Sequence, residues 1–563
     1  MATQVEGVEA KQWELGAMSE VRFEVDFDAC VTIVLVRGEA EVNGVELALG
    51  RRYRFGGCCF AVLSWRGAGL ESQGRAKSAY VAERTTASAA LNAHVFLEDR
   101  RERASRAATL RAVGGVYLEP GEELDEMQVE EEKADYLLED EENTIKKLNL
   151  SEATSPLSKG CALLPRAPSL ATPTVEFFSR SMNDDWNAPV SVRGKGPRVL
   201  IVGGADSGKS TLASTLAAYA ARAGREPVLV DLDPSLGDLG VPPGGIGALR
   251  ASKSSLSVEH GLSASVETAP FAFWFGHFEP SSNVDLYRHL VDRVATAVAT
   301  RLSTDPRADA AGVIVNTCGW IDGLGLDLLK HTAASFAVDV VFVLSHDRLY
   351  QDIKAAVGPQ TAVANLPRSG GLASRDSAYR RRARHKRVHE YFYGAGSHWQ
   401  AATKFVSAGK SDNLAPLLAP SSLELRFRDI RLFKVIAPDT NAVDSMLPVG
   451  QGSMLEPLQV VNIPFTADLV HCLLAVCHPR EDSSSEQQQL QQQLQTTTRT
   501  DNTSDINNNP YQFLLDCAAA GFVVVSNVDL ARSTLTLLTP CSGDLPSNNL
   551  LLGDVEWIEG LMS

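Results

Sequence analysis

The sequence predicts an α/β fold: a central parallel sheet flanked by an N-terminal β-sandwich-like domain and a C-terminal mixed β-rich domain. Three observations carry this. The apolar run Pro197–Val202 leads into Gly203-Gly-Ala-Asp-Ser-Gly-Lys-Ser210 and then into the Ala- and Leu-rich stretch Thr211–Ala220, which reads as strand, glycine loop and helix. Further apolar runs, Pro227–Asp231, Gly312–Thr317 and Val338–Leu344, alternate with helical segments, as in a parallel sheet covered on both faces. On either side of this region, short apolar stretches alternate with polar ones and are separated by Gly and Asn, the pattern of sandwiches and barrels.

Taken in order, residues 1–105 form the N-terminal β domain, with strands at Val21–Val25, Val31–Val36, Phe60–Trp65 and Ala79–Ala82 and an Arg-rich helical stretch at its end. Residues 106–195 read as a disordered linker. Within it, Glu119–Glu142 holds thirteen acidic residues and one lysine, and a Ser/Pro/Thr-rich stretch follows. Residues 196–425 form the P-loop kinase-like domain. Residues 426–563 form the C-terminal domain, interrupted by a Gln- and Asn-rich low-complexity loop at 484–509.

Composition narrows the function class. A chain of 563 residues, 44% hydrophobic, can build several cores. No run of 18 apolar residues is present, so no membrane span is expected. Met1–Ala10 lacks the basic and apolar regions of a secretory signal. Nine scattered cysteines do not make a disulfide framework and point to a reducing compartment, cytosol or nucleus. Of the net charge of −16, the acidic run carries −12 and the rest only −4, so acidity does not exclude a nucleic-acid ligand.

The octapeptide Gly203–Ser210 matches G-x-x-x-x-G-K-[ST], whose backbone N–H groups cradle phosphates at a helix N-terminus. Lys209 is placed to reach the β- and γ-phosphates, and the Ser210 or Thr211 hydroxyl to ligate Mg²⁺. In the next strand, Asp231 and Asp233 alternate, so one should face the phosphates. Asp233, at the strand's end, is favoured, as Mg²⁺ holder or as base for a substrate hydroxyl; a turn cap is the alternative. A third strand ends in Asn316-Thr-Cys-Gly-Trp320, where Thr317 and Trp320 could clamp a nucleotide with the indole stacked on a base, or Trp320 could be core. The strongest basic cluster, Tyr379–Tyr393, could neutralise a transferring phosphoryl group, hold an RNA backbone or form a solvated helix face. No N-K-x-D or T-K-x-D segment follows, which favours ATP over GTP. The pairs His471-Cys472 and Cys477-His478 fit no zinc spacing and read as core; Cys58-Cys59 reads as a reduced pair in a turn.

Together, Gly203–Thr211, Val230–Asp233, Val241-Pro-Pro-Gly-Gly245, Ile314–Trp320, Asp347–Tyr350, Arg368–Gly371 and Glu390–Gly394 resemble the Clp-type polynucleotide 5′-hydroxyl kinases, subunits of the pre-mRNA cleavage and polyadenylation machinery. The resemblance implies three domains, ATP and Mg²⁺, a nuclear location, RNA, and partners among the cleavage-factor subunits, with the tRNA-splicing endonuclease as a further partner in animals. It implies nucleotide contacts from Glu20, Gly203, Asp206, Ser207, Gly208, Lys209, Ser210 and Thr211. Metal contacts would come from Ser210 and Asp233, a substrate clasp from Thr317 and Trp320, and catalytic roles from Lys209, Asp233 and the lid arginines Arg384 and Arg387. Two departures stand out. Cys59 occupies a position where relatives carry a basic residue, and Ser235-Leu236 replaces the Gly-Gln of D-x-G-Q. Two functions follow: an ATP-binding scaffold that bridges cleavage factors, or an enzyme that phosphorylates RNA 5′-hydroxyl ends, including in tRNA splicing or RNA repair.

Overall fold

The computed structural model describes residues 10–82, 85–114, 195–262, 270–394, 419–436, 458–479 and 510–559. The acidic run, the Ser/Pro/Thr stretch and the 484–509 loop read from the sequence lie outside these residues.

The N-terminal strands alternate buried and half-exposed residues, the signature of sheets with one covered face. They form a four-stranded sheet, ordered Lys11–Leu15, Ala68–Gly74, Val31–Gly38, Arg52–Phe55, and a five-stranded sheet, ordered Val45–Glu46, Glu41–Val42, Cys58–Ser64, Ser19–Val25, Ser78–Ala82. Both sheets contribute to one core that includes Trp13, Phe23, Ile33, Tyr53 and Phe60. Cys58 and Cys59 open a strand, paired with Val25 and Glu24, and do not lie in a turn; both thiols are free.

The centre is five parallel strands in the order Ala362–Leu366, Val340–Leu344, Arg198–Val202, Val313–Asn316, Val228–Asp231. The three middle strands are Val-, Ile- and Leu-rich and almost wholly buried, because helices cover both faces. Antiparallel strands Gly245–Arg250 and Phe271–Trp274 extend the sheet, and an Ala272–Ala519 pairing continues it into the C-terminal strands. The result is one mixed sheet of fourteen strands. In the C-terminal part, Cys472 and Cys477 are buried in the strand that they bound, as the sequence suggests, but the neighbouring histidines are not core: His471 is half-buried and His478 exposed, because each lies just outside that strand.

A helix at Ala87–Gly114 turns Ala89, Ala93, Phe96 and Leu97 onto Ala213, Leu216 and Ala217 of the helix Lys209–Arg222. It thus packs on the α/β core, although it follows the β-sandwich in sequence. Its Arg101, 0% exposed, donates from Nε to the Ala311 carbonyl at 2.8 Å. A second tie crosses the same interface. The buried Glu41 carboxylate accepts from Trp65 Nε1 at 3.1 Å, the Tyr219 hydroxyl at 2.5 Å and Arg222 at 2.7 Å. Taking Glu41 out of water is costly, and three donors repay it. Arg222→Ala should therefore strand a buried carboxylate and destabilise the protein by about 3–5 kcal/mol, read as a large drop in the thermal midpoint; a midpoint equal to wild type would remove this tie from the account.

Candidate nucleotide-binding site

The strand Arg198–Val202 lies between Val313–Asn316 and Val340–Leu344, so its loop emerges at the centre of the sheet's C-terminal edge, where α/β proteins place ligands. Gly208 caps the following helix at φ +93°, and no side chain accepts from the helix's first amides. The first turn holds no acid. The N-terminal N–H groups and the positive end of the helix dipole are thus left for an anion. A Cβ at Gly203 would lie 2.8 Å from the Ser207 hydroxyl, and one at Gly319 would lie 2.7 Å from the Ala205 amide nitrogen, so Gly203 leaves room for that side chain and Gly319 lets backbone pack closely against the loop. Lys209 is buried; its Nζ donates to the Gly203 and Gly204 carbonyls at 2.9 and 2.8 Å. Burial lowers its pKa, opposed by Asp233 and other negative groups. Ser207 Oγ is buried with no partner among the described residues.

The strand register sets Asn316 beside both Ile201 and Asp231. Its Nδ2 donates to Ser210 Oγ at 3.1 Å and to Asp231 Oδ1 at 2.9 Å, while its Oδ1 is buried without a partner. Asp231 Oδ1 also accepts the Asp233 amide at 3.1 Å, and Asp233 Oδ1 accepts the Ser235 amide at 3.0 Å. Burial, then Asp238 and Asp233, hold the Asp231 carboxyl well above the usual carboxylate range. Burial likewise raises Asp233, against the Ser235 hydrogen bonds and Lys209. The strand-end acids therefore do not divide into one that faces the loop and one that does not. Asp231 joins Ser210 through Asn316, and the Asp233 charge acts on Lys209.

The lid helix Ser377–Tyr393 starts at the loop. Its Arg380 pairs with Asp206 at 2.6 Å, and the Arg375 amide donates to the same carboxylate at 3.1 Å. Asp206 has φ +55°, a conformation that Asp tolerates better than most side chains. Arg387 pairs with Asp238 at 3.1 Å and Glu390 at 3.4 Å; Arg384 lies over the Phe278 ring at 4.2 Å. The Thr317 hydroxyl donates to the Ile201 carbonyl at 2.8 Å and is 2% exposed, so it braces the loop strand. Trp320 is half-buried and packs on the main core. Glu20 is buried in the N-terminal sheet and accepts from Arg22 at 2.5 Å and from Thr85. Arg22 in turn lies against Gly371, whose Cβ would meet its Cδ at 2.7 Å.

Sequence reasoning missed Asn316, Asp231 and Arg380 as members of this site. Arg380 was legible only as part of the basic run. Asn316 stands one residue before Thr317, yet only the register shows that its amide bridges Ser210 and Asp231. The two orphaned oxygens, the uncapped helix start, the Lys209 ammonium and the oxygen set of Ser210, Asp231 and Asp233 fit a nucleoside triphosphate with Mg²⁺, a hard cation that prefers oxygen ligands. Among the described residues, no cluster of His, Cys, Asp and Glu forms a separate metal site.

A parallel sheet feeding this loop into a helix, with an arginine-bearing helix over it, defines a P-loop nucleotide-binding protein. Three family models match the chain: the N-terminal β-sandwich domain of polyadenylation factor over residues 14–104, the mRNA cleavage and polyadenylation factor CLP1 P-loop over 203–394, and the pre-mRNA cleavage complex II protein Clp1 over 418–559. The chain belongs to the Clp1 family. It is similar to a protein CLP1 homolog of Nematostella vectensis, 31% identical across 98% of this chain and 97% of that protein. It is similar also to the polyribonucleotide 5′-hydroxyl-kinase Clp1 of Homo sapiens, 29% identical across 97% and 96%. A solved Clp1p–Pcf11p complex shares the fold, with a TM-score of 0.65 at 18% identity, covering 98% of this chain and 99% of that one.

Because the folded state raises the Asp231 pKa, it holds a proton that the unfolded chain has already released between the ordinary carboxylate range and the raised value. Stability therefore falls as pH rises through that window. Asp231→Asn, which keeps an acceptor for Asn316, should raise the thermal midpoint at pH 7 and flatten its pH dependence, while weakening Mg²⁺-dependent ATP binding. A lower midpoint at pH 7 would contradict the assigned burial cost.

Proposed function

We propose that this chain is an ATP- and Mg²⁺-binding subunit of the nuclear pre-mRNA 3′-end cleavage and polyadenylation complex, and that it phosphorylates RNA 5′-hydroxyl ends. The observation that carries the reading is the hydrogen-bonded chain from Ser210 through Asn316 to Asp231 beneath a complete phosphate loop. Membership of the Clp1 family supports the assignment to 3′-end processing, and the name of the human relative supports the kinase activity. Clp1p of the same fold is known in complex with Pcf11p, which supports a cleavage-factor partner here. Association with the tRNA-splicing endonuclease belongs to the same proposal.

In this reading Gly203, Asp206, Ser207, Gly208 and Thr211 shape the cradle, and Lys209 leaves its loop carbonyls for the phosphates. Arg384 adds charge from the lid. Asp233, with its raised pKa, takes the proton of the RNA hydroxyl. Trp320 offers a ring face at the strand ends. Mg²⁺ at Ser210, beside Asp231 and Asp233, would neutralise phosphate charge when bound. Thr317 acts by bracing the loop strand, and Glu20 by setting the N-terminal sheet, through Arg22, against Gly371.

A scaffold reading, in which ATP fixes the domain arrangement, is favoured by two observations. Leu236 stands where D-x-G-Q members carry Gln, and Arg387 is committed to Asp238 and Glu390.

Transfer of label from γ-labelled ATP to a 5′-hydroxyl RNA should occur with the purified chain and fall at least about 100-fold in Lys209→Ala. It should decline on the acid side as Asp233 gains its proton. Absence of transfer with ATP still bound would replace the kinase by the scaffold. Ser235→Gly with Leu236→Gln should raise the rate if the departure limits it; an unchanged rate would clear those two residues.

A further inference from the structure

The cations of the lid helix differ in what they touch. Arg380 is neutralised by Asp206 at 2.6 Å. Arg387 is neutralised by Asp238 at 3.1 Å and Glu390 at 3.4 Å. Lys386 donates to the Gly56 carbonyl at 2.8 Å. Arg384, half-buried one turn after Arg380 and on the same helix face, has no hydrogen bond or ion pair among the described residues; its contact is the face of Phe278, 4.2 Å from guanidinium carbon to ring centroid. The opposing charge that it feels is Glu279, beside Phe278 in sequence.

Phe278 is itself held from two sides. Gly276, at φ +78°, crosses Gly553 so closely that a Cβ on it would lie 2.8 Å from the Gly553 Cα. The Asp554 amide donates to the Gly276 carbonyl at 2.7 Å. His277 Nδ1 lies 2.9 Å from the Asp554 carboxylate, which also accepts from Lys434 at 2.9 Å. On the other side, Pro280 is buried and opens a short helical turn. The segment is therefore bolted to the C-terminal sheet, and it presents an aromatic face to the lid.

An aromatic face attracts a guanidinium without taking its hydrogen bonds or cancelling its charge, whereas a carboxylate does both. We propose that Phe278 is a positioning residue: it holds the half-buried Arg384, unlike the exposed Arg381 and Arg382, in one place with its donors still available to a phosphoryl group, and so makes the C-terminal domain part of the nucleotide site. The proposal rests on the reading of this site as one that binds ATP.

The test is a double-mutant cycle on Phe278 and Arg384, read both as ATP dissociation constant and as phosphoryl transfer to 5′-hydroxyl RNA. Phe278→Leu keeps apolar bulk without a ring. It should weaken ATP binding about threefold and lower kcat about tenfold, within the roughly 2- to 30-fold span expected for one cation–π contact. Phe278→Tyr should restore both. In an Arg384→Ala background, Phe278→Leu should change neither, which a merely structural role would not produce. A Leu variant equal to wild type, or a Leu effect that persists undiminished without Arg384, overturns the proposal. If the wild type binds ATP but transfers no phosphate, the kinase reading fails, and the cycle on ATP affinity alone still decides: coupling supports the positioning role and additivity overturns it. A wild type that binds no ATP overturns both.

Discussion

Asp231, Asp233 and Asp238 share the mouth of the sheet, and Lys209 is the only fully buried lysine among the described residues. The rest of the site follows from that excess of acid. Burial raises Asp231 and Asp233; Asp238 and Asp233 push Asp231 further up, and Asp238 does the same to Asp233. Hydrogen bonds from Asn316 and from the Asp233 and Ser235 amides ease the strain without removing it. Arg387 answers Asp238 from the lid, and Arg380 answers Asp206 from the same helix. A divalent cation with phosphates completes such a charge set, which is why the strand register that brings Asn316 beside Asp231 matters as much as the loop itself.

The same economy of contacts ties the three parts together. The lid helix begins at the loop, meets the N-terminal sheet through Lys386 and the Phe27–Tyr379 ring pair, and ends on the C-terminal strands through Tyr391 and Phe392. Glu41 fastens the N-terminal sheet to the far end of the loop helix. The loop helix and the lid helix therefore carry the contacts between domains as well as the candidate nucleotide site. In the proposed reading, ATP would serve structure and chemistry together.

Much of the fold was legible because its signals are local. Apolar runs marked the three middle strands of the parallel sheet to within a residue or two, and Gly203–Ser210 marked the loop, where Gly208 takes the positive φ that opens the helix. Non-local features were not legible. The Ala87–Gly114 helix follows a β-sandwich in sequence, yet its Ala and Phe face belongs to the loop helix. Cys58-Cys59 looked like a turn because Gly56-Gly57 precedes it, although the turn ends there and a strand begins. Thr317 carried the signal of a substrate contact, and only the folded chain shows that its hydroxyl donates to the Ile201 carbonyl. Asp231 was set aside because strand alternation allows one acid to face the loop; the Asn316 amide bridges that geometry.

The proposed reading stands on the acid-rich mouth beneath the loop taking up Mg²⁺ together with a nucleoside triphosphate. Calorimetric titration of the purified chain and of Asp231→Asn with ATP, with and without Mg²⁺, tests it most directly. Binding to the wild type should strengthen with Mg²⁺, and that gain should shrink in Asp231→Asn, which removes the charge beside Ser210. Binding with no Mg²⁺ dependence would contradict it.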